Sequence, residues 1–401
     1  MEQTDARNDP ADSGAPPSSA TASGAPRRWF APAEWSGAFG DLGTLVPFLL
    51  AYIAVVKIDP AGILLTFGVA MIVVGFVYRT PFPVQPMKAI GSVAATHTAA
   101  GVALTAGTFH LAALLTGLVW LAIGASGAAQ RLSRLVSPAV CFGVILGLGM
   151  ALMLEAVKMM AANWWIAVPA LLGTFVLLSR RRFPVMLLLL AVGGSIALLQ
   201  QPELAIALAE APIGFRLPAL TLGGLEWSHV AVATIVLVIP QLPLTFGNAL
   251  IAITEENNRL FPERPVTEKR VAISTGVMNL FAGSLGGIPM CHGAGGMAGH
   301  VRFGARTGGA PVILGALLVV AALFFSGAVE TGLALFPAAI LGVILFVAGS
   351  QLALGVCDGW QQKDDRFVLI VVAALSIWNV GVAFLFGLAT QWLLRRKLLE
   401  L

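Results

Sequence analysis

The chain of 401 residues contains 58% hydrophobic residues and only 11% charged residues, and its mean hydropathy is +0.88. Ordinary soluble domains carry about 25% charged residues, so this composition excludes a soluble globular protein. The net charge of +4 and the three cysteines predict neither a nucleic-acid partner nor a disulfide framework. The apolar residues fall into many separate long runs, which is typical of a polytopic membrane protein.

The organisation of the chain begins with a segment of different composition. Residues 1–28 are rich in Ser, Ala, Pro and Gly, and they predict a disordered cytoplasmic tail rather than a signal peptide. The remainder predicts a first seven-span repeat at 29–200 and an extracellular connection at 201–228. A second, inverted seven-span repeat at 229–395 and a short cytoplasmic tail at 396–401 complete the expected domain order.

Fourteen segments are expected to form transmembrane α-helices. Two of them, 84–99 and 289–300, are short and marked by proline or glycine, so they predict broken spans. With the N-terminus inside, 20 of the 24 Lys and Arg residues fall in cytoplasmic segments, which favours this count and two cytoplasmic termini. The expected spans are 36–56, 61–78, 84–99, 108–127, 137–155, 163–179, 183–200, 229–254, 269–284, 289–300, 309–327, 333–352, 366–379 and 380–395.

Short sequence motifs recur in the two halves of the chain and indicate an internal repeat. The pairs lie 207, 203 and 199 residues apart and occur in the same order. Because each half has an odd number of spans, the second half must be inverted, which is typical of secondary transporters. The matching words are Phe39-Gly40-Asp41 with Phe246-Gly247-Asn248, Pro86-Met87 with Pro289-Met290, and Pro138-Ala139 with Pro337-Ala338.

The two broken spans predict an anion site. The prolines at 81–86 and the Gly-Gly-Ile-Pro word at 286–289 are incompatible with a continuous helix. A half-helix that follows each break would begin in mid-membrane with unpaired N–H groups and the positive end of its dipole. Two such ends facing each other would bind an anion near the membrane midplane. The alternative is a pair of tightly packed helices with proline kinks.

Two charged residues fall inside predicted spans. Lys88 is the only basic residue there, and an ammonium at a half-helix N-terminus is favourable only if an anion lies between them. The alternative is a lysine that extends to the membrane surface. Asp41 is the clearest intramembrane carboxylate, and it could carry a proton, pair with Lys88 or cap an unwound stretch.

The eighth span carries polar residues around Pro240 and Pro243. Gln241, Thr245 and Asn248 are candidate ligand contacts, although polar helix-packing residues have the same appearance in a sequence. Glu255 and Glu256, at the cytoplasmic end, are interpreted as solvated or gating charges.

The tenth span carries His292 and Cys291 directly after its proline. His292 could reach an anion or move protons, or it could have a structural role. Cys291 could donate weakly, but no partner residues predict a metal site. No motif predicts ATP hydrolysis, another catalytic activity or a cofactor, so an enzyme is not expected.

Three long motifs resemble the molybdate transporter family, a branch of the sulfate permease (SulP) superfamily. They begin at Phe39, Gln85 and Pro289, and the third continues from His300 to Gly308. The resemblance covers nearly everything after residue 30. It implies the seven-plus-seven inverted-repeat fold of uracil permease-type carriers, without the cytoplasmic regulatory (STAS) domain of typical sulfate permeases.

The resemblance also implies a mechanism. A core domain of spans one to four and eight to eleven would move against a gate domain of spans five to seven and twelve to fourteen, in elevator-type alternating access. The ligand would lie between the third and tenth spans, beside the eighth. Together with the residue analysis, this predicts substrate contacts at Gln85, Pro86, Met87, Lys88, Ala89, Thr245, Asn248, Cys291, His292, Gly293 and Ala294, and proton coupling at Asp41.

The sequence therefore predicts a secondary transporter that takes molybdate up together with protons. A sulfate or other oxyanion carrier is the first alternative, because molybdate and sulfate are both tetrahedral dianions. A nucleobase carrier is disfavoured, since Asn248 and His292 stand where carboxylates would hold ring N–H groups. A channel or a non-transporting sensor is the remaining class. The expected location is the cell inner membrane; the lipid bilayer and the oxyanion are the expected partners, and a homodimer is left open.

Overall fold

The computed structural model describes residues 28–96, 98–99, 102–133, 137–178, 185–222, 225, 227–354, 362–396 and 398–399. The predicted N-terminal tail therefore lies almost wholly outside the described residues, as do parts of the predicted C-terminal tail. Arg134, Lys397 and the arginines at 180–182, which contribute to the predicted orientation, also lie outside them. The described chain is mostly helical, as expected for an all-α membrane protein.

The helices of the first part of the chain are α1 (Pro32–Ala38), α2 (Leu42–Leu50), α3 (Pro60–Tyr78), α4 (Lys88–Thr96), α5 (Ala106–Ala125), α6 (Ala128–Ser133), α7 (Pro138–Met160), α8 (Trp164–Leu178), α9 (Val185–Gln200) and α10 (Glu203–Glu210). Those of the second part are α11 (Val230–Val232), α12 (Ile239–Phe246), α13 (Ile253–Leu260), α14 (Glu268–Ser284), α15 (Ala294–Arg302), α16 (Gly309–Phe324), α17 (Val329–Ala334), α18 (Ala338–Leu354), α19 (Lys363–Trp378) and α20 (Val380–Arg395). Short π-helical segments cover Ala51–Val55, Ala233–Val238 and Gly247–Ala252, and 3₁₀ turns cover Trp227–His229 and Ser326–Ala328. The strands are β1 (Gln85–Pro86), β2 (Thr98–Ala99), β3 (Val102–Ala103) and β4 (Met290–Cys291).

Several long helices begin at a residue whose side chain accepts a hydrogen bond from the first turn. Asp59 precedes α3 and accepts from the backbone N–H of Ala61 at 3.1 Å. Thr105 caps α5 and Ser137 caps α7 in the same way. These caps satisfy N–H groups that the helix itself leaves unpaired, so they fix where each helix starts.

The long helices pack in pairs: α3 against α16, α5 against α14, and α7 against α18. Small residues bring the backbones of a pair close together. A Cβ built on Gly68 of α3 would lie 2.6 Å from the carbonyl oxygen of Gly315 in α16. Close packing through glycine is a main source of helix association in membranes, where lipid leaves no strong hydrophobic force between helices.

Gly68→Ala should destabilise the protein, because the new methyl group would force α3 and α16 apart. Overpacking of this kind costs about 1–3 kcal/mol. Gly173 in α8 is the matched control, because a Cβ there meets nothing within 4 Å among the described residues. Gly173→Ala should be neutral or stabilising by about 0.5–1 kcal/mol. Thermal unfolding of the purified variants checks this, and equal melting temperatures for both would contradict it.

Four continuous helical stretches are long and apolar enough to cross a membrane: Pro60–Tyr78, Ala106–Ala125, Pro138–Met160 and Val230–Leu260. Three bent helix pairs raise this number to seven within the described residues. Other apolar helices, including Trp164–Leu178 and Ala338–Leu354, are shorter than these spans. The full set of fourteen spans stays a prediction.

The breaks expected in the third and tenth spans are present, and the structure adds one in the first. The predicted continuous span at 36–56 is divided by residues 39–41, and its two parts are bent by 41°. The third span does not continue as a helix to residue 99, because a small β2–β3 hairpin follows α4. The predicted span at 333–352 instead starts at Ala338, because Pro337 has no N–H with which to continue α17.

Candidate functional site

The two broken spans meet through a short antiparallel strand pair. Gln85 of β1 lies opposite Cys291 of β4, and Pro86 lies opposite Met290. The backbone N–H of Met87 extends the ladder by donating to the Pro289 carbonyl at 3.0 Å. Because α4 begins directly after β1 and α15 soon after β4, the pairing brings the N-terminal ends of both half-helices together.

Asn279 in α14 holds β4 in place. Its Nδ2 donates to the carbonyl of Met290 at 2.6 Å, and its Oδ1 accepts from the Met290 N–H at 2.9 Å. The side chain is fully buried. Asn279 was not among the predicted site residues, and its one signal in the sequence is a polar amide between the apolar residues Met278 and Leu280.

Gln241 in α12 caps α4. Its Oε1 accepts from the N–H groups of Ala89 and Ile90 at 2.9 and 3.3 Å. Its Nε2 donates to the hydroxyl of Thr245 at 2.8 Å. Both residues were candidate ligand contacts. In the structure Gln241 lies at the N-terminus of α4 and Thr245 contacts it, and the Gln241 oxygen accepts hydrogen bonds from N–H groups that could otherwise bind an anion.

Gln85 links β1 to the break in the first span. Its Nε2 donates to Oδ1 of Asp41 at 2.6 Å and to the Thr44 hydroxyl at 2.9 Å. Thr44 in turn donates to the same carboxylate. Oδ2 of Asp41 faces Gly296 of α15, where a Cβ would come within 2.7 Å of it. Only a glycine lets the backbone of α15 approach this carboxylate so closely.

Four buried polar atoms at this place have no hydrogen-bond partner among the described residues: Oδ2 of Asp41, Oε1 of Gln85, Nζ of Lys88 and Oδ1 of Asn248. Gln85 and Asn248 both lie against Gly293, at the start of α15. Lys88 and Asp41 are close enough for their charges to interact. Buried polar groups in folded proteins are nearly always paired, so this cluster indicates a missing polar partner such as a ligand.

The two ends of the half-helices differ in their capping. The α4 end is covered by Gln241, whereas α15 has Gly293 at its N-cap and no side-chain cap among the described residues. The first N–H groups of α15 are therefore the more accessible donors for an anion. A glycine at the N-cap also lets a ligand come close to the backbone.

His292 is fully buried but has partners for both ring nitrogens. Nδ1 donates to the Pro83 carbonyl at 2.8 Å, and Nε2 lies 2.8 Å from the Ser274 hydroxyl. A carbonyl only accepts, so Nδ1 carries a proton. His292 thus ties β4 to the segment before β1, and it could contact an anion only by giving up one of these bonds.

The remaining predicted residues lie in the same region. Pro86, Met87 and Cys291 are buried within the strand pair and its continuation, and Cys291 is a free thiol. Across the described part of the chain, no group of three His, Cys, Asp or Glu residues could hold a metal ion. The site offers backbone N–H groups, amide side chains and one ammonium, which suit an oxyanion, together with the Asp41 carboxylate, which suits one only when it is protonated.

Comparison with known proteins identifies relatives of similar sequence. A family model described as "Molybdate transporter of MFS superfamily" matches residues 33–152 and 233–352. Molybdate transporter 2 of Arabidopsis thaliana is 31% identical, over 91% of this chain and 87% of that protein. Molybdate transporter 1 of Chlamydomonas reinhardtii is 29% identical, over 88% of this chain and 90% of that protein.

Solved structures share the fold at low sequence identity. The transmembrane domain of the cyanobacterial bicarbonate transporter BicA has a TM-score of 0.55 and 16% identity, covering 89% of this chain and 98% of that chain. The murine anion transporter Slc26a9 in its inward-facing state has a TM-score of 0.59 and 12% identity, covering 92% of this chain and 69% of that chain. These neighbours show that the chain shares their fold. The two matched segments and the curated relatives establish that this chain is a membrane transporter rather than an enzyme and belongs to the molybdate transporter family.

Proposed function

We propose that the protein is a secondary active transporter that carries molybdate into the cell together with protons. The observation that carries the proposal is the buried Lys88 ammonium, which has no hydrogen-bond partner among the described residues and lies at the start of α4, where the strand pair brings it next to the uncapped start of α15. A tetrahedral oxyanion has acceptor oxygens in every direction, so it can use donors from both half-helices at once. Membership of the molybdate transporter family supports this substrate.

The oxyanion would bind at the uncapped start of α15. Its oxygens would accept from the N–H groups after Gly293, and the Lys88 ammonium would balance its charge. The Nδ2 atom of Asn248 also lies near Gly293 and could add a donor. In this proposal Gln85 and Asp41 hold the strand pair against the first span, and His292 fixes the loop before β1.

Gln241→Glu should weaken molybdate binding by about tenfold or more, because a carboxylate would then stand beside the dianion. The protein should still fold, since a negative charge at the start of α4 is favourable. Gln200→Glu, on the exposed end of α9, is the matched control and should leave binding unchanged. Equilibrium binding of labelled molybdate measures both, and wild-type affinity in Gln241→Glu would count against this position for the ligand.

We also propose the inverted repeat and elevator-type movement for this chain. The two segments matched by the family model are equal in length and lie in corresponding positions of the two halves. In the seven-plus-seven assignment, α3 corresponds to α14 and α5 to α16. The packing of α3 on α16 and of α5 on α14 is then one contact seen twice, which supports a two-fold relation.

Uptake into proteoliposomes tests the transport function. Labelled molybdate should enter the vesicles, and the entry should be driven by an inward proton gradient. A large excess of sulfate should reduce molybdate entry only slightly, whereas strong competition would favour the alternative of a general oxyanion carrier. Rapid flux without dependence on any gradient would indicate a channel, and binding without flux a sensor. Location in the cell inner membrane with both termini cytoplasmic belongs to the same proposal.

A further inference from the structure

An apolar groove and a basic cavity adjoin each other at the end of α3. The groove has a volume of about 410 Å³ and lies between α3 and α14. Its walls include Val73 and Val277, whose side chains are 53% and 55% exposed. The cavity has a volume of about 480 Å³ and is lined by Arg79, Arg264 and Arg270. Val77, Tyr78 and Arg270 line both, so the two spaces are direct neighbours.

The cavity is strongly basic. Its lining includes three arginines and one carboxylate, Glu263, which leaves an excess of two positive charges. In the part of the chain that the structure describes, none of the three guanidinium groups forms a salt bridge with a carboxylate. An excess of positive charge at the end of a membrane helix is typical of sites for anionic lipid headgroups.

Capping of α3 explains part of this arrangement but not all of it. Arg264 donates to the Arg79 carbonyl, and Nη2 of Arg270 donates to the Val77 carbonyl at 3.0 Å. The Arg270 guanidinium also lies 5.1 Å from the centre of the Tyr78 ring. Each guanidinium has five N–H donors, so most remain available. The Arg79 side chain makes no hydrogen bond to any described residue, and capping therefore gives it no role.

We propose that the groove and the cavity together bind one anionic glycerophospholipid. Its phosphate lies among Arg79, Arg264 and Arg270, and one acyl chain lies along Val73 and Val277. An apolar groove directly beside a basic cavity matches the two chemically different parts of such a lipid. Neither a soluble phosphate, which has no use for the groove, nor a zwitterionic lipid, whose net charge is zero, matches both parts.

Native mass spectrometry tests this proposal on the full chain released from nanodiscs that hold phosphatidylglycerol and phosphatidylcholine in equal amounts. The wild-type protein should retain one phosphatidylglycerol in clear preference. Arg79→Gln with Arg264→Gln should lower that preference by about 25-fold, since each basic residue near an anionic surface contributes about fivefold. Arg366→Gln, an exposed arginine at the start of α19, is the matched control and should retain the preference.

Two further variants separate the parts of the site. Arg79→Gln alone removes a side chain without hydrogen bonds in the described structure, so it should fold and lower the preference about fivefold. Val277→Trp should fill the groove and reduce retention of the lipid. Equal retention of both lipids by the wild type, or an unchanged preference in the double variant, would overturn the proposal. So would displacement of the lipid by soluble glycerol 3-phosphate, or a dimer that Val277→Trp dissociates without loss of lipid.

Discussion

Lys88→Ala is expected to abolish molybdate uptake while the protein still inserts and folds. The Lys88 ammonium is buried at the start of α4 and has no hydrogen-bond partner among the described residues. Two half-helix N-termini supply about half a positive charge each, so Lys88 brings the total to about two, which matches a dianion when Asp41 carries its proton. Without it, the bound anion would remain under-compensated in a medium of low dielectric constant.

The expected loss is large. Removing one member of a buried charge pair costs about 2–5 kcal/mol, which corresponds to at least about 30-fold in affinity. Without bound molybdate, the substitution should not lower the stability of the protein, because a buried ammonium without a hydrogen-bond partner is itself costly. Lys88→Ala should therefore melt no lower than the wild type in the absence of molybdate, and molybdate should no longer raise its melting temperature. Lys88→Arg should restore uptake only in part, since the broad guanidinium cannot replace a compact ammonium.

Equilibrium binding and thermal shifts with molybdate measure this effect independently of transport. Lys158→Ala is the matched control, because Lys158 pairs with Glu155 on the surface and should be dispensable. A lysine that merely extends to the membrane surface predicts nearly wild-type affinity in both Lys88 variants. Wild-type affinity in Lys88→Ala would thus contradict the proposed charge balance.

The breaks in the third and tenth spans could be predicted because their cause is local. Proline lacks an N–H and restricts its predecessor, so the closely spaced prolines before Met87 and the Gly-Gly-Ile-Pro sequence before Met290 strongly disfavour a continuous helix. In the first span the sequence left an unwound stretch at Asp41 as only one of three possibilities, because the segment that packs against the break is distant in the chain. A Cβ on Gly40 would lie 2.5 Å from the carbonyl of Gly299, and nothing in the sequence near Gly40 shows that α15 passes there.

The residues of the candidate site could be predicted better than their partners. The sequence marks Gln241 as a polar residue within an apolar span, but its partners, the N–H groups of Ala89 and Ile90, lie about 150 residues away in the chain. For His292 the sequence left a structural and a functional role open, and the side chain contacts Pro83 and Ser274. A hydrogen bond between distant segments depends on the packing of the whole bundle, which local patterns do not encode.

Asp41→Asn is expected to uncouple uptake from the proton gradient. Moving a dianion inward against a negative-inside potential of 100 mV costs about 4.6 kcal/mol, at about 2.3 kcal/mol per charge. Each proton that moves with the anion removes half of this cost. Asp41 is buried beside the site, and its Oδ2 has no partner among the described residues, so that oxygen can accept a proton without breaking a hydrogen bond.

The asparagine variant keeps the local structure while it removes the titratable group. Its side-chain oxygen can still accept from Gln85 and Thr44, as Oδ1 of Asp41 does now. We therefore expect molybdate binding within a few-fold of the wild type, but at least about a tenfold loss of uptake driven by an inward proton gradient. Wild-type uptake should rise as the outside pH falls and should collapse with a protonophore; uptake by Asp41→Asn should respond to neither.

Asp59→Asn is the control for the loss of a carboxylate in general. Asp59 caps α3 and pairs with Arg216 near the surface, and asparagine is an equally good cap, so its proton response should match the wild type. Sodium-dependent uptake that ignores both pH and protonophores in the wild type would exclude proton coupling. A normal proton response of Asp41→Asn would instead mean that uptake is coupled to protons through another residue. Because binding and coupling are measured separately, a failure of the Asp41 prediction leaves the charge balance at Lys88 intact.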